Sequence, residues 1–304
     1  MNLMITGACG HIGSYIVRNF LREKKVKKIV LIDSLKISKI NSILDLKSKK
    51  IIFKDIDISK KNSLKNMKNI NCVIHCASLT NAENSFKIKK VMYKNNINCM
   101  KNIILFCIKN KSKLIHLSST SVYGSQSKEV FEDEKKFINP QSPYAKIKII
   151  EEEMLKKNSK NLKFITFRLG TISGVSPGMR FHTAVNKFCL NASLNKEINI
   201  YETAYNQFRP YLSLKDAYNA FNYFLKNNRI NNNTYNLLSD NFTVKQIISV
   251  IKKFKNKIKI KFVKTKIMNQ LSYKVKTNKI RNTGFKIKNY VKQDIKETLK
   301  FLNT

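Results

Sequence analysis

Glycine and proline are scarce in this chain, with 8 glycines and 4 prolines among 304 residues. That scarcity gives weight to the one place where glycines gather, Gly7-x-x-Gly10-x-x-Gly13. A short apolar run precedes this motif, and a helical pattern follows it. Strand, glycine turn and helix is the context that makes such a motif credible as a dinucleotide site, because the glycines let backbone amides approach a pyrophosphate.

The chain also lacks several features that would point elsewhere. No apolar run approaches the ~18 residues of a membrane span, so we expect none. The sequence opens directly in a strand pattern, and we expect no signal peptide. Six cysteines show no Cys-x-x-Cys spacing and several fall in predicted core elements, which favours reduced thiols in a cytoplasmic protein. The four histidines have no metal-ligand spacing, and we predict no metal site.

Acidic residues are few, 19 against 59 lysines and arginines, which gives a formal charge of +40. A strongly basic chain can bind nucleic acid or anionic membranes. Here the lysines are spread along the chain and arginine is rare, whereas a dedicated phosphate binder usually clusters its charges. We therefore interpret the charge as a whole-chain bias toward Lys, Asn and Ile, and we expect no specific nucleic-acid partner.

An acid stands where a dinucleotide fold needs one. The apolar run of residues 26–32 ends in Asp33, 20 residues after Gly13. A carboxylate at the tip of the second strand accepts hydrogen bonds from the adenosine ribose hydroxyls and repels a 2′-phosphate, so it favours NAD over NADP. Lys36 lies close by in sequence and works against this preference.

Further apolar runs alternate with helical stretches over the first half of the chain. That spacing predicts an α/β fold with a doubly wound, Rossmann-type parallel sheet and crossover helices. We expect an NAD-binding domain over residues 1–167 with a return segment near 208–238. Residues 168–304 are expected to form mainly a smaller α/β substrate lobe.

Tyr144 and Lys148 are four residues apart, which places them one turn apart on one face of a helix. A free phenol has a pKa of about 10 and is a poor base at neutral pH. A nearby ammonium favours the phenolate and moves the pKa of the phenol toward the working range. Alone, the pair is equally typical of an exposed helix face, and its meaning depends on the motifs around it.

Together these motifs resemble the extended short-chain dehydrogenase/reductases, in particular their nucleotide-sugar epimerase and dehydratase group, with the 4-epimerases as the nearest analogue. The similarity covers most of the chain and is strongest over residues 1–180. It rests on the glycine motif, Asp33, Tyr144 and Lys148, and on stretches in the family's order: Lys54-Asp55-Ile56-Asp57, residues 73–78, Asn95-Asn96-Ile97-Asn98, residues 117–124 and residues 140–144.

The resemblance implies a role for each matching residue. Ser119, Tyr144 and Lys148 would be catalytic. The residues that would bind NAD are Gly7, Gly10, His11, Ile12, Gly13, Asp33, Asp55, Ile56, Cys76, Ala77, Ser78, Asn96, Tyr144 and Lys148. The residues that would bind a nucleoside-diphosphate sugar are Ser119, Thr171, Asn186 and Arg209, the last two at its diphosphate. A homodimer is also expected.

Positions 120 and 121 bear on the reaction. The 4,6-dehydratases of this family carry an Asp-Glu acid/base pair there, and this chain has Thr120 and Ser121. Dehydration is thereby disfavoured, and the remaining trio predicts a 4-epimerase that works through a transient keto-sugar. A net sugar dehydrogenase, a reductase or a dehydratase of the same family stays open. So does a non-catalytic NAD(P)-sensing or RNA-binding protein, which loss of Tyr144 or Lys148 would have favoured.

Overall fold

The computed structural model describes residues 1–80, 84–227, 229–264 and 273–303. Twelve strands lie in these described segments. They are β1 (Asn2–Thr6), β2 (Lys28–Asp33), β3 (Ile51–Asp55), β4 (Cys72–His75), β5 (Lys113–Ser119), β6 (Phe164–Leu169), β7 (Thr171–Ser173), β8 (Ile198–Tyr201), β9 (Phe208–Ser213), β10 (Asn233–Leu237), β11 (Asp240–Thr243) and β12 (Ile260–Val263).

Eight α-helices lie in the same segments. They are α1 (His11–Leu21), α2 (Lys89–Asn110), α3 (Pro143–Lys157), α4 (Ala184–Ser193), α5 (Leu214–Lys226), α6 (Val244–Phe254), α7 (Asn278–Arg281) and α8 (Val291–Leu302). In the part of the chain that the structure describes, no helix is both long and apolar enough to cross a membrane.

Seven strands form one parallel sheet in the order β10-β6-β5-β4-β1-β2-β3. Side chains alternate between its faces, as strand geometry requires. Leu3 and Ile5 join the core under α1 and α5, while Met4 joins the opposite core under α2 and α3. The predicted doubly wound, Rossmann-type sheet is confirmed.

A smaller group of elements covers the carboxyl ends of the sheet. It contains a three-stranded sheet, β11-β9-β7, and a parallel pair, β12-β8. Helices α4, α6 and α8 pack there around a separate apolar core that includes Val185, Ile247 and Ile295. Within residues 208–238, β9 belongs to this smaller sheet, whereas β10 forms the edge of the large one. The boundary between two domains stays a prediction.

The parallel sheet brings five site segments to one edge. Gly7 follows β1, Asp33 ends β2, Cys76 follows β4, Ser119 ends β5 and Thr171 begins β7 just after β6. Because all these strands run the same way, their carboxyl ends meet, and ligands of open α/β sheets bind in the crevice there.

Candidate active site

A cavity of about 710 Å³ runs along the carboxyl edge of the sheet. The structure places most of the predicted site residues in its wall. They are Gly7, Gly10, His11, Ile12, Gly13, Asp33, Ile56, Cys76, Ala77, Ser78, Ser119, Tyr144, Lys148, Thr171 and Arg209. One continuous space therefore joins the glycine turn to the Tyr144 phenol.

The glycine turn is shaped by the absence of side chains. Gly7 has φ of +64°, and a Cβ there would lie 2.8 Å from the backbone nitrogen of Ala77. A Cβ on Gly13 would lie 2.1 Å from the carbonyl oxygen of Gly7. Only glycine fits either place. The turn leads into α1, whose first amides face an open cavity, so the residues present fit a dinucleotide pyrophosphate.

Asp33 is held in position by the backbone around it. Its Oδ2 accepts from the amide of Cys9 at 3.0 Å, and its Oδ1 accepts from the amide of Leu35 at 3.1 Å. Each oxygen keeps a further lone pair for a ribose hydroxyl. Lys36 is turned to Asp57, with Nζ 2.6 Å from Oδ2. The positive charge of Lys36 is therefore partly neutralised by the Asp57 carboxylate.

The segment after β7 docks on the glycine turn. The amide of Gly178 donates to Ser14 Oγ at 3.0 Å, and a Cβ on Gly178 would lie 2.4 Å from the Cys9 carbonyl oxygen. Arg180 lines the cavity, and its Nη1 donates to Thr80 Oγ1 at 2.9 Å. Sequence reasoning missed this guanidinium, although its position just after Pro177-Gly178, in a segment already linked to the substrate, was a usable signal.

His11, the first residue of α1, is buried beside the same segment. Its Nδ1 accepts from the Arg180 amide at 3.3 Å, and burial lowers the pKa of His11 to about 3. The neutral ring then carries its hydrogen on Nε2. Among the described residues, Nε2 has no hydrogen-bond partner. A buried donor in the cavity wall without an acceptor is consistent with a site that takes an anionic ligand.

Helix α3 supplies the tyrosine and lysine. Ser142 caps it by accepting from the Ala145 amide at 3.1 Å, and Pro143 occupies its first position. That start fixes Tyr144 and Lys148 on the face turned toward the sheet, with the lysine Nζ 5.7 Å from the phenol ring centroid. Ser119, at the end of β5, contributes a side-chain hydrogen bond to Tyr144.

The hydrogen-bond direction at Ser119 is set by its neighbour. Its Oγ accepts from the amide of Ser121 at 3.2 Å and from the hydroxyl of Ser121 at 2.9 Å. With its lone pairs used in this way, Ser119 can direct its own hydrogen at the Tyr144 oxygen. The trio of serine, tyrosine and lysine is therefore assembled in the wall of the cavity.

The charge balance at Tyr144 differs from the expectation. Burial is the largest influence and raises the pKa of Tyr144, while the Lys148 ammonium opposes that rise. The ammonium acts in the predicted direction, but desolvation outweighs it. A second influence was missed: Lys148 Nζ also lies 2.8 Å from Glu151 Oε2, and this carboxylate offsets part of the lysine's charge.

Three predicted residues are not part of the cavity wall. Asp55 is exposed at the end of the edge strand β3, and Asp57 lines the cavity in its place. Asn96 is buried and holds the loop after β4 in place. Its Oδ1 accepts from the Leu79 amide at 2.9 Å, and its Nδ2 donates to the Leu79 carbonyl oxygen at 3.1 Å.

Asn186 is the third of these residues. It is fully buried on α4 and donates to the Arg180 carbonyl oxygen at 3.1 Å. Thr183, one turn earlier, lines the cavity instead. The family resemblance located the helix that borders the cavity but not the face of it that lines the cavity.

Comparisons with known proteins agree with this geometry. The sequence profile of the NAD dependent epimerase/dehydratase family matches residues 3–237. A dTDP-D-glucose 4,6-dehydratase of Dictyostelium discoideum is 31% identical over 256 residues. The match takes in 78% of this chain and 58% of that protein, so the chain spans just over half the length of this relative.

Solved structures show the same fold. A UDP-glucuronic acid 4-epimerase from Bacillus cereus, in complex with UDP-glucuronic acid and NAD, superposes with a TM-score of 0.90 at 22% identity, over 99% of both chains. A UDP-glucose 4-epimerase from Thermus thermophilus, in complex with NAD, gives 0.86 at 19% identity, also over 99% of both chains. The profile match covers well over half of the chain, and the glycine turn, acid and tyrosine–lysine pair stand in one cavity: the chain belongs to the NAD dependent epimerase/dehydratase family.

Proposed function

We propose that this protein is an NAD-dependent epimerase that inverts C4 of a nucleoside-diphosphate sugar. The observation that carries the proposal is the placement of Ser119, Tyr144 and Lys148 in the same cavity wall as the glycine turn. That arrangement lets one bound sugar hydroxyl lie against the phenol while a dinucleotide occupies the rest of the cavity.

Several residues would hold NAD, which supplies a hydride acceptor and donor when bound. The glycine turn would take the pyrophosphate and Asp33 the adenosine ribose, with Ile56 and Asp57 beside the adenine. Lys148 would take the second ribose with the hydrogens that Glu151 leaves free. Support comes from the cavity wall and from the fixed carboxylate of Asp33.

The chain's own chemistry is proton transfer at one oxygen. Tyr144, as phenolate, removes the proton of the sugar hydroxyl and later returns it. Ser119 donates a hydrogen bond to the Tyr144 oxygen and so keeps the phenol aligned with the sugar hydroxyl. Lys148 stabilises the phenolate by its charge, since an ammonium beside a phenol favours the ionised form. Tyr144 is partly buried in the cavity wall, so its phenol faces the space that the sugar would fill.

An epimerase needs nothing beyond this trio, whereas elimination of water needs a further acid and base. Thr120 donates to the carbonyl oxygen of Leu169 at 3.1 Å, and Ser121 is bonded to Ser119. Among the described residues, the carboxylates in the cavity wall are Asp33 and Asp57, both at the expected adenosine end. The dehydratase relative keeps dehydration as the second candidate, with a net dehydrogenase or reductase as the third.

The substrate is proposed from the groups on the side of the smaller lobe. Arg209 on β9 and Thr171 on β7 both line the cavity, and a guanidinium fork suits a diphosphate. A nucleoside-diphosphate sugar with its sugar at Tyr144 and its diphosphate at Arg209 fits both. Asn186 would act from behind the wall, through its bond to the Arg180 backbone.

A panel of nucleotide sugars tests the proposal. Each is incubated with the purified protein, and products are read by mass and by proton NMR of the sugar ring. We expect a product of unchanged mass with inverted C4. A product lighter by one water would show a dehydratase, and accumulation of NADH would show a net dehydrogenase.

Three broader features of the protein complete the proposal. We propose that residues 1–167, with the return segment near 208–238, bind NAD and that the remainder mainly binds substrate. Six free cysteines fit a reducing compartment, and we propose the cytoplasm.

Val91 and Leu105 are exposed on one face of α2, 63% and 66%, and favour a homodimer through that helix. Light scattering at assay concentration would give the monomer mass if the dimer is wrong.

A further inference from the structure

A buried carboxylate lies directly behind the proposed catalytic lysine. Glu151 is one turn after Lys148 on α3 and is 2% exposed. Its Oε2 lies 2.8 Å from Lys148 Nζ and 3.0 Å from His116 Nε2. Glu151 is absent from the cavity wall, so neither substrate nor cofactor reaches it in this arrangement.

Burying a carboxylate costs several kcal/mol unless it is paired. Here an ammonium and an imidazole donor share one oxygen, and His116 is itself held on β5 by Thr166 Oγ1 at 3.3 Å. The carboxylate therefore has a fixed place, and it uses one of the three hydrogens of Lys148. The ammonium is left with two hydrogens and a defined direction.

We propose that Glu151 is a positioning residue: it fixes the Lys148 ammonium and offsets its charge, so that Tyr144 gives back a proton as readily as it takes one. This inference rests on the proposed function, in which one phenol must do both. Lysine alone would favour the phenolate strongly and slow the return of the proton. The ion pair presents a smaller net charge to the phenol.

The surroundings of Glu151 agree with this role. Burial opposes ionisation, but Lys148 and His116 prevail and lower the pKa of Glu151 to about 2. The same carboxylate raises the pKa of Tyr144 against the pull of Lys148. The titratable and charged groups around the pair come from α3, β5, β4, α2 and the segment after β7. They are Tyr144, Glu152, His116, His75, Cys76, Cys99 and Arg180.

Glu151→Gln tests the proposal because glutamine keeps an oxygen for Lys148 and removes the charge. The acid limb of the kcat/KM profile should move to lower pH by roughly half a unit to one unit, the scale of one nearby charge. The phenol is also followed without catalysis, in the apoprotein labelled with 3,5-difluorotyrosine, whose fluorines acidify the ring. Its ¹⁹F signal, assigned by its loss in Tyr144→Phe, should titrate at lower pH in Glu151→Gln.

Glu152→Gln is the matched control. Glu152 is the next residue, 3% exposed, and its carboxylate is bonded to Arg168 at 2.7 and 3.0 Å, so its charge is answered by that guanidinium. It should lose stability while the Tyr144 signal titrates close to the wild-type pH.

Glu151→Asp guards against a Gln variant that does not fold. It keeps the buried charge but withdraws it by one methylene, and the shift should have the same sign. An unmoved Tyr144 titration in both Glu151 variants would overturn the proposal and reduce Glu151 to a packing partner. Because the ¹⁹F measurement needs no substrate, it separates this outcome from a wrong choice of reaction.

Discussion

At the scale of single residues, the Tyr144 phenol is subject to two opposing effects. Burial raises its pKa, and the ammonium of Lys148 opposes that rise. A phenol with a raised pKa is mostly protonated at neutral pH. Its ionised form persists only while neighbouring groups stabilise the negative charge. Both effects act on the phenol oxygen.

Tyr144→Phe removes that oxygen and keeps the ring. Turnover should fall by roughly 10²–10⁴-fold, the usual size of a general acid–base contribution, while the thermal unfolding curve stays near that of the wild type. Tyr93→Phe is the control, since Tyr93 is 48% exposed on α2, outside the cavity wall. Near-normal turnover in Tyr144→Phe would end the proposed mechanism.

Asp33 should set the choice of cofactor. Its two oxygens are fixed by backbone amides, and a 2′-phosphate would meet that carboxylate directly. Calorimetric titration of the apoprotein with each dinucleotide should show tighter binding of NAD than of NADP. Asp33→Asn should reduce the difference between these two affinities. Lys36→Ala should leave the order unchanged, because that lysine is paired with Asp57. Tighter binding of NADP by the wild type would contradict this account.

Arg209→Ala should weaken the binding of the diphosphate. Charge-assisted hydrogen bonds contribute about 1.5–3 kcal/mol, so KM should rise roughly 10- to 100-fold with a smaller fall in kcat. The affinity for the free nucleoside diphosphate should fall by a similar factor, whereas the affinity for NAD should be unchanged. Arg229→Ala, at an exposed position, serves as the control. Unchanged binding of the nucleoside diphosphate would remove Arg209 from the site.

What the sequence could predict at this scale depends on how local the signal is. Gly13, Tyr144 and Lys148 stand in motifs whose spacing alone fixes their geometry, and the structure places all three in the cavity wall. Asp55 and Asn186 were placed by resemblance, which does not tell which way a side chain points. Glu151 had a signal, three residues after Lys148, but its meaning needed His116 from a distant strand.

At the scale of elements, α8 carries a buried acid against two strands of the smaller sheet, β7 and β9. Asp294 is 1% exposed and accepts from the hydroxyls of Ser173 at 2.7 Å and Ser213 at 3.1 Å. Burial raises its pKa from 3.8 to about 6, and the two hydroxyls only partly oppose this. The helix is thus anchored to β7 and β9 through a group that is costly to ionise.

The pH dependence of stability follows from that shift. An acid whose pKa is raised by folding holds its proton more tightly in the folded state, so there is no penalty below pH 3.8 and a full one above about pH 6. Asp294→Asn should therefore raise the free energy of unfolding by up to about 3 kcal/mol at pH 7.5, at 1.36 kcal/mol per pKa unit.

Urea unfolding at pH 7.5 and pH 4.5 measures this effect, and the gain should shrink at the lower pH. Asp133→Asn is the matched variant, since the Asp133 side chain is 64% exposed. A gain of equal size at both pH values would show that the ionisation of Asp294 is not its cause.

The elements themselves were mostly predictable. The strands of the large sheet are short apolar runs between helical patterns, and this alternation fixes a parallel sheet by physical rule. The partners of later strands were harder: β10 joins the large sheet at β6, whereas β9, only 20 residues earlier, joins the small one. Both are short and half-apolar, so periodicity does not distinguish them.

At the scale of the whole molecule, the formal charge of +40 is a property of the outer surface, whereas the candidate site is a property of the interior crevice. Most lysines are exposed on the outside of the fold, where salt screens them. The candidate site residues line the crevice between the large sheet and the smaller lobe. A general positive field would attract a nucleotide sugar to that crevice but would not choose its sugar.

Inversion at C4 through a transient keto-sugar can be tested with deuterium at C4 of the sugar. The purified protein is incubated with the nucleotide sugar found to be its substrate, labelled at C4, and the product is read by mass spectrometry and NMR. A 4-epimerase removes and returns the same hydrogen at the same carbon. We expect a product with inverted C4, unchanged mass and full retention of deuterium at C4. Deuterium found at C6 of a product lighter by one water, or lost to solvent, would contradict it.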